Sequence, residues 1–309
     1  MISTHNVPRF LLCSLLLLAC IGSLANAEEV TLEFRGITLN ANLELADEKG
    51  LSDGLVLIMH SFLAHNRMEI VEASQAALQD SGQSSLAINV SLDVDNRHGF
   101  YDCMLPIRFK LSDALDELDA WISWLKQEGV ADIVLMGHSI SANQILAYAA
   151  SRDEPAIRGL VLLAPNTVGH PSSPERYKAD YDSDLGQILA RAKRLIDEDK
   201  GDQLMRDTDF GFCPKAAVSA TAFYDFYEQG DEFWNAHLFL PQTDVPVLVI
   251  AGTIDERQPN IPQHVEPYVD GERIFLTLID NAGHFFRDLN IDDAVEAAVS
   301  FINELDQSD

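Results

Sequence analysis

Apolar residues in this chain fall into short unbroken runs, separated by longer stretches whose apolar positions recur every three or four residues. The runs lie at 54–59, 84–90, 132–136, 157–163, 245–251 and 273–279. Runs of this length, rich in Val, Ile and Leu, read as strands buried on both faces. Between them, 66–80, 110–127 and 291–305 repeat at helical spacing. In the second of these, Leu111, Leu115, Leu118, Trp121, Ile122 and Leu125 share one face, so Trp121 and its neighbour Trp124 are expected to pack rather than bind. Residues 30–35 and 38–45 alternate apolar and polar about Gly36, the pattern of an antiparallel hairpin. Alternating strands and helices with apolar strands predict a mainly parallel sheet covered by helices on both faces.

The rhythm breaks between about residues 166 and 242. This stretch is polar at first, helical over 185–197, and ends with Phe210, Phe212, Phe223, Tyr224, Phe226, Tyr227, Phe233, Trp234 and Phe239. It reads as a lid over residues 166–242, inserted into a core formed by 28–165 and 243–309. Most of its aromatic residues are expected to hold the lid on the sheet, with two or three facing a pocket.

The first 27 residues read as a signal peptide rather than as part of the fold. Arg9 precedes the apolar stretch 10–24, and Ala25-Asn26-Ala27 offers a small-x-small cleavage site. The protein is therefore expected to be exported, periplasmic or secreted. The alternatives are an uncleaved N-terminal anchor, or a lipid anchor on Cys20 within Leu17-Leu18-Ala19-Cys20. Residues 28–309 suffice for one large α/β domain with an insertion. They retain two cysteines, Cys103 and Cys213, which either bridge lid to core or remain separate buried thiols.

The chain carries 49 Asp and Glu against 21 Lys and Arg, a formal net charge of −28. Such a surface repels nucleic acid and anionic membranes, and it reads as a solvated shell.

The candidate chemistry centres on Gly137-His138-Ser139-Ile140-Ser141, set between the run 132–136 and an expected helix over 142–150. A serine on a tight strand-to-helix turn has its hydroxyl pushed out of the chain, beside backbone N–H groups at a helix start. A serine nucleophile needs a base and a carboxylate to orient that base, here in the chain order serine, acid, histidine. His284, in Gly283-His284 after the run 273–279, is the expected base. Asp255, in Gly252-Thr253-Ile254-Asp255 after the run 245–251, is the expected acid, with Glu256 and Asp231 as alternatives; Asp280 is too near His284 in sequence.

The loop His60-Ser61-Phe62-Leu63 after the first run should supply the Phe62 N–H to an oxyanion, and Ile140 the other N–H. Leu63 and His138 are expected to contact substrate. His60 and His65 lack the carboxylate spacing of a metal site, so a structural role is expected of them. Asp93-Val94-Asp95-Asn96-Arg97 fails as a calcium loop because Arg97 replaces a ligand.

Together these motifs resemble the α/β-hydrolase family over nearly all of residues 28–309. The resemblance implies a mainly parallel eight-stranded sheet, with helices on both faces and a helical lid after the sixth strand. It also implies a Ser139–His284–Asp255 triad acting on a small-molecule ester or amide substrate without a cofactor. The segment from Leu63–Glu69 through Asn89-Val90-Ser91 resembles an uncharacterised bacterial branch, whose members tend to carry Arg-Gly-Gly where this chain has Ile140-Ser141-Ala142. The expected function is cleavage of carboxylic esters. A peptidase or amidase with the same triad is one alternative, and a non-catalytic binding protein, suggested by Ser61, Ile140 and Ser141, is another. Haloalkane dehalogenation is not expected, because that chemistry uses a carboxylate at the elbow where this chain has Ser139.

Overall fold

The computed structural model describes residues 28–167, 173–228 and 234–307. The expected signal peptide, with Arg9, Cys13 and Cys20, lies outside the described residues, as do Asp231 and Phe233. Among the described residues, no helix is long and apolar enough to cross a membrane.

The six apolar runs form six parallel strands: β3 Leu55–Met59, β4 Ser85–Asn89, β5 Ile133–His138, β6 Ile157–Leu163, β9 Val247–Gly252 and β10 Ile274–Ile279. The hairpin β1 Glu28–Phe34 and β2 Ile37–Glu44 adds two antiparallel strands, giving the order β1-β2-β4-β3-β5-β6-β9-β10. Leu57, Leu86, Ile88, Leu135 and Leu160 in its middle are wholly buried. Each such side chain contributes about 1.5–3 kcal/mol on removal from water.

Three helices follow the early strands: α1 Glu69–Asp80, α2 Asp113–Gln127 and α3 Ile140–Ser151. α1 packs with the closing helix Asn290–Gln307, and α2 packs with α3. α1 starts three residues later than its apolar spacing predicts, because Met68 adopts extended backbone at the helix start. From β3 the chain steps out to β4 and returns to β5 on the other side of β3. The carboxyl ends of β3 and β5 thus flank a switch point, where open α/β sheets place their ligands.

Between β6 and β9 the chain forms α4 Pro174–Tyr181, α5 Leu185–Asp197, β7 Leu204–Phe210, β8 Cys213–Ser219 and α6 Ala220–Glu228. α4 and α5 are capped by the side chains of Ser173 and Asp184, which accept from the N–H groups of Arg176 and Gln187. The strands β7 and β8 form a separate antiparallel pair turning at Gly211-Phe212. The apolar pattern marks no strands here and the family resemblance implies a helical lid, so this pair is a correction. Register shifts interrupt the pairing between Met205 and Thr208 and again before Phe210, which removes the strict alternation that marks a strand.

Among the links that join this insertion to the core are three to the stretch from Cys103 to Ser112. Asp225 of α6 accepts from Leu111 N at 2.8 Å and Ser112 Oγ at 2.9 Å, at the entry to α2. Ile107 bridges to β8 through Ala217 and Ser219. Cys103 and Cys213 form a disulfide, which settles the choice between a bridge and two thiols.

Candidate active site

The turn after β5 places Ser139 at φ 59° and ψ −126°, a backbone state that non-glycine residues rarely adopt. The residue two before it must be glycine. A Cβ on Gly137 would stand 2.7 Å from the Ser141 carbonyl carbon and oxygen, because α3 starts directly over the strand end. Ser141, where the usual motif has glycine, is buried, and its hydroxyl donates to the His60 carbonyl oxygen. The serine therefore fits beneath the turn by bonding to the neighbouring loop.

Ser139, His284 and Asp255, remote in sequence, meet at the ends of β5, β10 and β9. His284 Nδ1 lies 2.8 Å from Asp255 Oδ2, and Nε2 lies 3.1 Å from Ser139 Oγ. A carboxylate only accepts, so Nδ1 carries the proton, and Nε2 presents its lone pair to the serine hydroxyl. Asp255 Oδ1 accepts from Arg257 N at 2.8 Å and Gln258 N at 2.9 Å. Burial alone would raise the Asp255 pKa. The hydrogen bond and charge of His284, with those two N–H groups, outweigh burial and hold it below the usual carboxylate value.

The alternative acid Glu256 is exposed at the cavity edge, and Asp280, set aside in the sequence, takes the Thr253 hydroxyl at 3.3 Å. A further chain of bonds steadies the acid loop. Gln258 bonds Thr167 N and Asn166, and Asn166 exchanges hydrogen bonds with Asn143 of α3. No motif in the sequence marks Asn143, Asn166 or Gln258.

His138 does not line the cavity, which corrects its expected substrate contact. Its ring is buried, and Nε2 donates to the His284 carbonyl oxygen at 2.8 Å. Burial, then the neighbouring His284, push its pKa down to about 3, so the ring stays neutral and braces the loop carrying His284. Leu63 does line the cavity, at φ 58° in the turn closed by Ala64 N and Ser61 O. Phe62 and Ile140 border it too, and among the described residues neither backbone N–H has an acceptor.

The cavity in front of Ser139 measures about 880 Å3. From the insertion, Tyr177, Tyr181, Phe212, Phe226, Tyr227 and Trp234 face it; from the core, Phe62, Phe100, Tyr101 and Phe285 do. Of the eight described aromatic residues at the end of the insertion, four thus reach the cavity. Phe210 and Phe223 pack behind them. The tyrosine hydroxyls are already engaged with backbone: Tyr177 with Asp209 O, Tyr181 with Gly211 O, and Tyr227 with Gly211 N. Tyr177 and Tyr181 therefore offer ring surface more than free donors, while the Tyr227 hydroxyl acts as an acceptor. Sequence analysis passes over Tyr177 and Tyr181, which lie outside the aromatic cluster.

The histidines weighed as metal ligands are separated in role. His60 is buried with Nδ1 on Ser61 O, while His65 packs its ring on Phe100. Among the described residues, no three His, Cys, Asp or Glu side chains converge as a metal site.

A family profile described as "Alpha/beta hydrolase family" matches residues 93–299. In fold, the chain is similar to Est1E from Butyrivibrio proteoclasticus, in a structure with ferulic acid bound. Identity is 21%, the TM-score is 0.62, and the match covers 89% of this chain and 98% of that one. It is similar also to the alpha/beta hydrolase GrgF from Penicillium sp. sh18, at 16% identity and TM-score 0.62, covering 91% and 98%. A monoacylglycerol lipase from Paleococcus ferrophilus matches at 17% identity and TM-score 0.55, covering 86% and 99%. No curated protein matches the sequence.

Proposed function

The chain belongs to the alpha/beta hydrolase family, and we propose that it hydrolyses carboxylic esters through an acyl-enzyme on Ser139. The observation that carries this reading is the relay in which His284 stands 3.1 Å from Ser139 Oγ and 2.8 Å from Asp255. Ser139 Oγ attacks the acyl carbon while its proton passes to His284 Nε2. The carbonyl π electrons move onto oxygen, and the resulting oxyanion is held by the N–H groups of Phe62 and Ile140. Collapse expels the alkoxide, which takes the proton from His284 and leaves as alcohol. A water molecule then gives a proton to His284 and attacks the acyl carbon; collapse breaks the bond to Ser139 Oγ, which takes that proton back, freeing the acid and the serine hydroxyl.

The aromatic cavity supports an ester with an apolar or aromatic substituent, since rings of this kind gain by covering apolar surface. Residues 166–242 act in this reading as a cap over the acyl site. The Cys103–Cys213 disulfide supports export, because such bridges persist in oxidising compartments.

Matched p-nitrophenyl esters and p-nitroanilides test the proposal. Ester hydrolysis is expected to exceed amide hydrolysis, and to fall by about 10³-fold or more in Ser139→Ala with an unchanged melting curve. Amide cleavage outpacing ester cleavage would make the protein a peptidase or amidase instead. Absence of both activities would favour a binding protein.

A further inference from the structure

Behind the Ser61–Leu63 turn lies a buried polar layer that acyl transfer does not use directly. His60 is 2% exposed, and its Nδ1 lies 2.8 Å from Ser61 O. On the other edge of the ring, Nε2 faces Val90 N at 3.0 Å and Arg97 Nη2 at 3.2 Å. A backbone N–H and a guanidinium can only donate. Nε2 must therefore hold the lone pair, which leaves the proton on Nδ1, aimed at the Ser61 carbonyl. Burial first, and the Arg97 charge second, push the His60 pKa down to about 3, so the ring stays neutral. Arg97 is itself pinned: Nε and Nη2 donate to Val90 O at 3.0 and 2.6 Å, and Nη2 donates to Asn89 Oδ1 at 2.9 Å.

The Ser61–Phe62 peptide is trans, as are all those described. In a trans peptide, C=O and N–H point in opposite directions. A Ser61 carbonyl turned toward the buried His60 ring thus turns the Phe62 N–H away from it, out of the buried layer. Ala64 N also donates to Ser61 O, at 3.1 Å, closing the turn, and Ser141 Oγ holds the preceding carbonyl, that of His60.

We infer that His60 is a positioning residue: its Nδ1–H fixes the Ser61–Phe62 peptide so that the Phe62 N–H meets the oxyanion, and the Val90 N–H, with the Arg97 guanidinium beside it, fixes the tautomer that donates. The inference rests on the proposed acyl transfer, and it explains why an arginine that spoils a calcium loop is kept in the interior.

Substitution at position 60 tests it with p-nitrophenyl butyrate. Asparagine carries its amide N–H close to the place of Nδ1, whereas leucine offers no donor. His60→Leu is expected to lower kcat by about 10-fold or more with KM little changed, since the lost interaction belongs to the transition state. His60→Asn should recover most of that loss, with thermal melts showing both variants folded. Equal losses in the two variants, a loss carried by KM, or an unaffected His60→Leu would each overturn the inference.

Histidine 15N shifts of the unmodified protein give a second reading that needs no turnover. His60 should appear as the neutral Nδ1–H form from about pH 5 to 8. An Nε2–H form, or titration in that range, would overturn the inference even if no variant folds. Loss of the esterase reading is recognised separately, as absent hydrolysis in the unmodified protein.

Discussion

His284 Nδ1 stands 2.8 Å from Asp255 Oδ2, and Asp255 spends its other oxygen on the N–H groups of Arg257 and Gln258. Only one orientation of an asparagine satisfies those two donors, and it turns the amide NH2 toward His284. The imidazole would then have to carry its proton on Nε2, facing Ser139, where it can no longer accept. Asp255→Asn is therefore expected to leave the fold intact and to lower kcat about 10³- to 10⁴-fold. A loss smaller than tenfold in steady-state assays would remove Asp255 from its assigned role.

Glu117 sits 4% exposed behind the same layer, and burial pushes its pKa up to about 7, against the lowering effect of its bonds to Ser91. A raised carboxyl stabilises the fold fully below its unfolded pKa of about 4.3, and that contribution is lost as pH climbs through the folded value. The loss is on the order of 3 kcal/mol between about pH 5 and 8. Glu117→Gln keeps an acceptor for Ser91 N and has no charge to bury. Urea denaturation at both pH values should show this loss in the unmodified protein and a much flatter response in the variant; parallel responses would contradict it.

The disulfide closes a span of 110 residues and ties the cavity rim at Cys103 to β8. Loops of that length give up to about 4 kcal/mol by restricting the unfolded chain. The Cys103→Ser/Cys213→Ser double variant should unfold at lower urea by roughly that amount, measured against the oxidised protein. Identical midpoints would show that the bridge is dispensable.

Gly137 and Ser141 face each other across the elbow, and substitution should cost more at the first than at the second. Gly137→Ala drives a Cβ to 2.7 Å from the Ser141 backbone, where nothing flexible can yield. It should cost at least about 3 kcal/mol or prevent folding. Ser141→Ala removes only the hydroxyl that donates to His60 O, leaving that carbonyl short of one donor. A loss of about 1–3 kcal/mol is expected, with the triad still able to react. Calorimetry on the two variants decides whether the crowding lies at residue 137.

Much of this was legible in the chain because its physics is local. The six parallel strands are unbroken apolar runs, and Leu55–Met59 and Ile157–Leu163 fall where those runs predict them. Ser139, His284 and Asp255 were legible because each follows a strand end in the order the chemistry needs. The β7–β8 pair was hidden by shifts in its register and by Pro214 within β8. His138 was misread because nothing in a strand-end histidine tells whether its ring faces a cavity or a backbone carbonyl 146 residues away. Nothing in the sequence marks Arg97 and Glu117 as buried, since residues of these types are usually exposed. Their burial depends on partners brought from β3, β4 and α2, which no local pattern records.

Intact-mass analysis after exposure to a fluorophosphonate asks whether Ser139 is activated, with no need for the natural substrate. One adduct is expected on the unmodified protein and none on Ser139→Ala or His284→Ala. No adduct on well-folded protein, or an adduct that persists in Ser139→Ala, would contradict the proposed chemistry at its centre.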